Sequence, residues 1–161
     1  MRKMIKKFLK RKEDALLIGV LALQGNFKEH IDILEKLGTK TILVKLPTDL
    51  DLIHGLIIPG GESTTMRSLL KRYRLESAIL KKYKEGMPIF GTCAGTILLA
   101  KEIIGEPAQF GLLDISITRN AYGRQLESFE SELLVEKIGK IHGVFIRAPI
   151  ISRVGEGVTI L

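Results

Sequence analysis

The segment Phe90–Gly95, with the sequence FGTCAG, contains the turn that decides the fold of this 161-residue chain. Apolar Ile89-Phe90 predicts a short buried strand before the turn, and the apolar run Ala94–Ile104 predicts a helix after it. One glycine stands two residues before Cys93 and another stands two residues after it. Small residues at these positions allow a strand to pass abruptly into a helix and to expose a nucleophile at the turn.

Two interpretations of Cys93 follow from its surroundings. A lone cysteine is most often a small buried core residue. The paired glycines and the position at the carboxyl end of a predicted strand, where α/β sheets place their sites, favour a nucleophile instead. The start of the predicted helix would also stabilise a thiolate, because its N–H groups and positive dipole end favour negative charge.

Strands alternate with helices on both sides of this turn. Leu16–Leu23 (LLIGVLAL) is continuously apolar, which is typical of a strand buried on both faces of a parallel sheet. Helical spacing from Phe27 to Leu37 ends at Gly38. The pattern therefore predicts an α/β domain with a mainly parallel sheet. The other predicted strands are Thr41–Val44, Leu56–Ile58, Ile115–Thr118, Phe129–Val135 and Ile141–Ile146, and the other predicted helices are Thr64–Leu70 and Leu75–Tyr83.

A glycine turn, Pro59-Gly60-Gly61, ends the predicted strand Leu56–Ile58. Its backbone N–H groups can bind an anion or an oxyanion, and Ser63 or Thr64 can cap the helix that follows. An ordinary loop between a strand and a helix explains the same residues, and the segment lacks the spacing and the lysine of a P-loop. The turn is a candidate part of the site because it ends a parallel strand at the same sheet edge where Cys93 is predicted to lie.

Two later segments place an arginine at or near the end of a predicted strand: Arg119–Gln125 (RNAYGRQ) and Phe145–Pro149 (FIRAP). A guanidinium in such a place can clamp a carboxylate through paired hydrogen bonds. Surface arginines are common, so the residues alone leave a binding role and a solvated role open.

The three histidines, His30, His54 and His142, lack the pattern of a catalytic base. A cysteine that attacks an amide needs a histidine base oriented by a carboxylate. No histidine is predicted at a strand end beside an acid, so structural or surface roles are favoured for all three.

The net charge of +7 comes from the amino-terminal segment. Seven of the 25 basic residues precede Glu13, which leaves 18 basic residues against 18 acidic ones in the rest of the chain. A neutral body predicts no nucleic-acid partner. The run Ala15–Leu23 is too short to cross a bilayer, so no membrane partner is predicted. One cysteine excludes an internal disulfide framework and favours a reducing, cytoplasmic setting.

Residues 1–14 are interpreted as a basic amino-terminal extension and residues 15–161 as the domain. We favour a disordered tail, or upstream codons included in the reading frame. A surface helix for an acidic membrane or partner is the other interpretation. No apolar core of a secretory signal follows the charges. The apolar residues of the extension that fall at helical spacing are Met1, Met4, Ile5, Phe8 and Leu9.

These segments, taken in order, closely resemble the class I glutamine amidotransferases, and among them the glutaminase subunits of pyridoxal 5′-phosphate synthase. The resemblance runs from about Ile18 to the end of the chain. The cysteine turn is shared by all class I glutaminases, whereas the Arg-Asn-x-x-Gly-Arg-Gln and Phe-Ile-Arg-Ala-Pro segments single out this subfamily. The matching segments are Gly19–Gly25 with Glu29-His30, Ile57–Thr65, Gly91–Gly95, Arg119–Gln125 with Ser128–Glu130, and Phe145–Pro149.

The resemblance implies a three-layer α/β/α fold of the flavodoxin-like type and a reaction that hydrolyses L-glutamine to glutamate and ammonia. It makes Cys93 the nucleophile that forms a γ-glutamyl thioester, and the backbone of Gly61 and Ala94 the oxyanion hole. It implies no metal and no cofactor. It also implies a hetero-oligomer with a synthase subunit, which uses the ammonia to build pyridoxal 5′-phosphate. The residues that it assigns to glutamine binding are Gly61, Glu62, Ser63, Arg119, Ile146 and Arg147.

The chain departs from the family pattern at both ends. Family members usually begin near the equivalent of Ile18, and they continue past the equivalent of Leu161 into a strand, a His-Pro-Glu motif and a terminal helix. That histidine and glutamate are the family's base and its orienting acid, and this sequence contains no His-Pro-Glu. We therefore expect a domain that is incomplete at its carboxyl end, with exposed apolar sheet surface. The alternative is a chain that binds glutamine or the synthase subunit without turnover.

Overall fold

The computed structural model describes residues 16–119, 128–146 and 148–161. The basic extension 1–14, most of the Arg119–Gln125 segment and Arg147 lie outside the described residues. The chain divides after Thr92 into two compact units. None of the described helices is long and apolar enough to cross a membrane.

From residue 16 onward, the first unit contains four strands joined by helices. In chain order its elements are β1 (Leu17–Leu21), α1 (Phe27–Lys36), β2 (Lys40–Val44), a 3-10 helix (Pro47–Asp51), β3 (Gly55–Ile58), α2 (Ser63–Arg72), α3 (Leu75–Lys84) and β4 (Ile89–Gly91). The strands form one sheet in the order β2-β1-β3-β4, and every pairing in it is parallel. The prediction of an α/β chain with a parallel sheet is confirmed.

The core of the first unit lies on both faces of this sheet. Val20 and Leu21 follow each other on β1, so they point to opposite faces, and both are fully buried. This burial explains why the sequence Leu16–Leu23 is continuously apolar and does not alternate between apolar and polar residues. The other fully buried side chains of the unit include Leu56, Ile58, Met66, Leu70, Leu75 and Ile79.

The described residues of the second unit form one helix and five strands. Its elements are α4 (Ala94–Leu99), β5 (Ala100–Ile103), β6 (Leu113–Thr118), β7 (Phe129–Val135), β8 (Gly139–Phe145) and β9 (Ile150–Val154). β6 pairs in parallel with β5 and antiparallel with β9. β7 and β8 form a separate antiparallel hairpin. The buried cluster of this unit comprises Ile97, Ala100, Ile103, Ile115 and Ile117.

The predicted helix Ala94–Ile104 is wrong over its second half. α4 ends at Leu99, and the next four residues, Ala100–Ile103, form β5. The two end residues of β5 are buried, and the two charged residues between them are exposed. A short apolar run does not distinguish a buried helix from a strand, and here the pairing with β6 decides between them.

The strand β9 has no counterpart among the predicted strands. All five of its residues are exposed, so its sequence has no pattern of alternating burial to reveal it. The remaining predicted elements agree with the structure to within two residues at each end.

Candidate active site

Two loops meet in the first unit, one after β1 and one after β3, which are neighbouring parallel strands. The first loop is Gln24–Asn26 and the second is Gly60–Glu62. The side-chain carbonyl of Gln24 accepts a hydrogen bond of 2.9 Å from the amide of Glu62. The amide of Asn26 donates a bond of 3.1 Å to the carbonyl of Gly60. These two bonds hold the glycine turn against the first loop.

Glycine is required at two positions of this contact. Gly25 has a φ of +100°, and a Cβ there would lie 1.9 Å from the carbonyl oxygen of Gly60. A Cβ on Gly61 would lie 2.6 Å from Oε1 of Gln24. Within residues 16–92 the amide of Gly61 has no hydrogen-bond acceptor. This amide can therefore donate to an incoming oxygen, as an oxyanion hole requires.

Glu62 caps the helix α2. Its carboxylate accepts hydrogen bonds from the amides of Thr64 and Thr65, at 3.0 and 2.6 Å, and from the Thr65 hydroxyl at 2.8 Å. The prediction that Ser63 or Thr64 is the cap is therefore wrong. Ser63 is instead the first helical residue and is 4% exposed. The longer side chain of Glu62 reaches the amides of the first turn that lack helical acceptors.

The hydrogen bonds at this cap also keep Glu62 ionised. Burial raises the pKa of its carboxyl, but the bonds donated by Thr64 and Thr65 stabilise the charged form more strongly. They hold the pKa of Glu62 at about 2, against an ordinary value of 4.5. A negative charge therefore stands beside the glycine turn throughout the neutral range.

Thr92, which follows β4, is held by two hydrogen bonds within the first unit. Its amide donates to the carbonyl of Ile58 on β3 at 3.1 Å. Its hydroxyl shares a bond of 3.0 Å with Nε2 of His30 on α1. Burial lowers the pKa of His30, and the charge of Glu29 opposes this only in part, so the imidazole is neutral at pH 7.

Cys93 opens the second unit in a strained conformation. Its φ is 48° and its ψ is −107°. A non-glycine residue at such angles carries a strain of about 1–3 kcal/mol. The amide of Ile97 on α4 donates a bond of 3.1 Å to the carbonyl of Cys93, and the cysteine itself is exposed. The first-turn amide of Ala94 has no acceptor within its own helix. This is the strand-turn-helix geometry that the paired glycines predict.

Arg119 stands directly after β6 and forms an ion pair. Its Nη1 donates to Oε1 of Glu106 at 2.5 Å, and the side chain of Arg119 is mostly buried. A guanidinium has five N–H donors and can bond more than one carboxylate. Ile146 follows β8 and is exposed. Arg147 lies outside the described residues.

His142 has acids beside it, but it lies within β8 rather than at a strand end, and its exposure agrees with the surface role favoured from the sequence. On the hairpin of β7 and β8, its Nδ1 lies 2.8 Å from Oε1 of Glu132 and its Nε2 lies 2.9 Å from Oε2 of Glu130. The hydrogen bond with Glu132, followed by that with Glu130, raises the pKa of His142. All three side chains are more than half exposed, so the cluster lies on a solvated face.

His54 has the structural role that the sequence favours. Its Nδ1 accepts a hydrogen bond of 3.1 Å from the amide of Leu17, and its own amide donates 2.8 Å to the carbonyl of Leu17. These bonds fasten the start of β1. Among the described residues, no group of three or more His, Cys, Asp or Glu side chains could hold a metal ion.

The predicted site residues fall into both units. The first unit holds the glycine turn with Glu62 and Ser63, and the second holds Cys93, Ala94, Arg119 and Ile146. Sequence reasoning missed Gln24 as the partner of Glu62, although the break after the apolar run at Gln24-Gly25 was a signal. It also missed the bond between His30 and Thr92, which no local pattern indicates.

Solved structures show which class of protein shares this fold. A crystal structure described as a glutamine amidotransferase matches with a TM-score of 0.82 and 51% identity, over 87% of this chain and 76% of that chain. The structure of PurLQS from Thermotoga maritima matches in fold, with a TM-score of 0.59 and 23% identity, over 80% of this chain and 64% of that chain. The predicted amidotransferase fold is confirmed.

Comparison with similar sequences assigns the chain to one family within this class. Residues 20–161 match the model of the SNO glutamine amidotransferase family, and this chain belongs to that family. A pyridoxal 5′-phosphate synthase subunit PdxT of Thermus thermophilus is 52% identical over 147 residues, which cover 89% of this chain and 77% of the relative. The protein of the same name from Herpetosiphon aurantiacus is 54% identical over 151 residues, which cover 89% of this chain and 79% of the relative.

Proposed function

We propose that this chain is a glutaminase that hydrolyses L-glutamine to glutamate and ammonia, with Cys93 as its nucleophile. The observation that carries the proposal is the backbone of Cys93. This exposed non-glycine residue has a positive φ and stands between a parallel strand and a helix. Strain of this kind persists where the surrounding structure maintains it, and it is concentrated at functional sites. Membership of a glutamine amidotransferase family supports the choice of substrate.

The reaction has two covalent steps. Sγ of Cys93 attacks the side-chain carbonyl carbon of glutamine, and the carbonyl oxygen becomes an oxyanion that accepts hydrogen bonds from the amides of Gly61 and Ala94. The carbon–nitrogen bond then breaks, and the nitrogen leaves as ammonia after gaining a proton. Water attacks the resulting γ-glutamyl thioester, the carbon–sulfur bond breaks, and glutamate leaves. This chemistry needs no metal and no cofactor.

Charge complementarity supports the proposed glutamine-binding residues. Glutamine carries an ammonium and a carboxylate on its α-carbon. The ionised Glu62 can attract the ammonium, and the guanidinium of Arg119 can attract the carboxylate. The full proposed set is Gly61, Glu62, Ser63, Arg119, Ile146 and Arg147.

We also propose that the ammonia passes to a separate synthase subunit that builds pyridoxal 5′-phosphate, in a hetero-oligomer. The names of the relatives from Thermus and Herpetosiphon, which are pyridoxal 5′-phosphate synthase subunits, support this partner. A nucleophile that must stay a reduced thiol favours the cytoplasm as the place of the reaction.

Replacement of the nucleophile tests the proposal. In the presence of the synthase subunit of a relative, Cys93→Ala should lower ammonia release from glutamine by at least about 1,000-fold, because no thioester can form. Cys93→Ser is the matched variant, since it keeps the size of the side chain and weakens the nucleophile. Circular dichroism should show both variants folded. Unchanged ammonia release from Cys93→Ala would overturn the proposal.

Binding of glutamine or of the synthase subunit without turnover is the second candidate function. Calorimetry with glutamine and ammonia release by the unmodified chain distinguish the two functions. Ammonia release that depends on Cys93 supports the glutaminase. Glutamine binding without any ammonia, even with the synthase subunit present, supports the scaffold.

A further inference from the structure

The strained backbone of Cys93 must be held on both sides. On its carboxyl side, α4 begins at once, and the amide of Ile97 bonds the carbonyl of Cys93 at 3.1 Å. On its amino side stands Thr92. Because backbone strain relaxes unless neighbouring residues oppose it, the restraint on Thr92 bears directly on the geometry of the cysteine.

Two different elements restrain Thr92. The bond from its amide to the carbonyl of Ile58, at 3.1 Å, fixes its backbone to β3. The bond between its hydroxyl and Nε2 of His30, at 3.0 Å, fixes its side chain to α1. Only the second bond depends on side chains, so it is the one that sequence variation can remove.

The surroundings of His30 suit this role. With Ile33, Ile57 and Phe90 it lines an apolar groove of the first unit, and its ring is half-buried there. A neutral imidazole and a hydroxyl each have a donor and an acceptor, so each can satisfy the other. Loss of either partner leaves a polar group without its bond in apolar surroundings, which disfavours the native position of the remaining one.

We propose that His30 is a positioning residue for the nucleophile, acting through the hydroxyl of Thr92 to hold the amino side of the Cys93 turn. This inference rests on the proposed function of Cys93. It differs from a role as general base, because Nε2 of His30 is engaged by Thr92. It extends the site to α1, which holds none of the site residues predicted from the sequence.

A double-mutant cycle tests the proposal. His30→Ala and Thr92→Val should each lower kcat for ammonia release about tenfold, with little change in KM, because the turn loses its alignment while the glutamine contacts stay. The double variant should be no worse than either single variant, because one bond is lost in all three. Thr92→Ser, which keeps the hydroxyl, should retain most of the activity.

Alkylation of Cys93 by iodoacetamide gives a readout that needs no turnover. Cys93 is the only cysteine in the sequence, so the modification is unambiguous. Its rate as a function of pH should change in His30→Ala and Thr92→Val and stay near that of the unmodified chain in Thr92→Ser. His54→Gln is the matched control. It removes a bond at the start of β1 and should leave the alkylation profile unchanged.

The outcomes separate this inference from the proposed function. The positioning role would be overturned if the losses of activity were additive in the double variant. It would also be overturned if His30→Ala and Thr92→Val left the alkylation profile of Cys93 unchanged, even if Cys93 proves essential. A coupled effect on alkylation in a chain that releases no ammonia would support the positioning role and reject the glutaminase. If His30→Ala fails to fold, the comparison of Thr92→Val with Thr92→Ser decides.

Discussion

Gly25 has no β-carbon, and this allows two loops to meet at the end of the sheet. Because no side chain intervenes, the loop Gln24–Asn26 lies directly against the carbonyl of Gly60. The same contact places Oε1 of Gln24 at the amide of Glu62, one residue after the proposed oxyanion donor Gly61. A backbone approach this close positions the glycine turn more firmly than contacts between flexible side chains could.

Gly25→Ala should destabilise the chain by steric overlap as well as by backbone strain. A methyl group there would meet the Gly60 oxygen at 1.9 Å. We expect a loss of unfolding free energy of about 2–4 kcal/mol and a strong loss of ammonia release. Urea unfolding and the ammonia assay measure the two effects.

Gly38→Ala is the matched control for this substitution. Gly38 also has a positive φ, +75°, but a Cβ there would meet nothing within 4 Å. Gly38→Ala should lower the free energy of unfolding only by the strain of the positive φ, about 1 kcal/mol, and should leave ammonia release unchanged. Equal destabilisation by the two substitutions would show that the contact between the loops contributes nothing.

At the element scale, the start of α2 depends on the cap that Glu62 provides. Glu62→Gln should lower the free energy of unfolding by about 1 kcal/mol at pH 7, because a neutral amide accepts hydrogen bonds less strongly than a carboxylate. The pKa of Glu62 falls from 4.5 to about 2 on folding, so the stabilisation is fully present above pH 4.5. It is lost as the pH falls from 4.5 towards 2.

Urea unfolding of both proteins across this pH range measures the effect. The difference in unfolding free energy between the unmodified chain and Glu62→Gln should shrink below pH 4.5. Glu76→Gln, in the first turn of α3, is the control because Glu76 does not cap its helix. A difference that stays constant down to pH 2 would contradict the pKa shift assigned to Glu62.

The elements also show what a sequence can and cannot predict. Buried parallel strands are continuously apolar and helices end at glycine, so β1, α1 and β3 are recognisable from local signals. Local signals do not reveal the strand β9 or the second half of Ala94–Ile104, because pairing with β6 determines the structure of both segments.

The same limit applies to the candidate site. The strained turn at Cys93 is predictable because Gly91 and Gly95 each lie only two residues from it in the sequence. The bond between Gln24 and Glu62 joins residues 38 positions apart, and the bond between His30 and Thr92 joins residues 62 positions apart. Only the fold brings these residues together. The prediction of Ser63 or Thr64 as the cap of α2 is wrong because Ser63, Thr64 and Glu62 can all accept hydrogen bonds from the amides of a first helical turn. The residue types alone do not determine which of the three side chains does so.

At the scale of the whole molecule, the first unit exposes an apolar groove of about 520 Å³ beside α1 and β4. Leu16, Ile33 and Phe90 line it and are each more than half exposed. Among the described residues, β4 is an outer strand of its sheet. Exposed apolar surface of this kind promotes association between chains.

Ile33→Gln should therefore reduce the binding of the dye ANS and slow aggregation on warming, as measured by fluorescence and light scattering. The substitution places a polar group in the groove without removing a fully buried residue, since Ile33 is 57% exposed. Leu37→Gln is the control, because Leu37 is 74% exposed but does not line the groove. Equal reductions by the two substitutions would exclude the groove as the main source of association.

The exposed thiol of Cys93 has a consequence for how the protein responds to oxidants. With one thiol per chain, no internal disulfide can form, and oxidation of Cys93 gives either an adduct on its sulfur or a disulfide with another molecule. Two chains can join through their sulfurs, but a third cannot be added, so covalent growth stops at a dimer. Each such bond also removes two proposed nucleophiles, which makes the loss of activity and the gain of dimer two measures of one event.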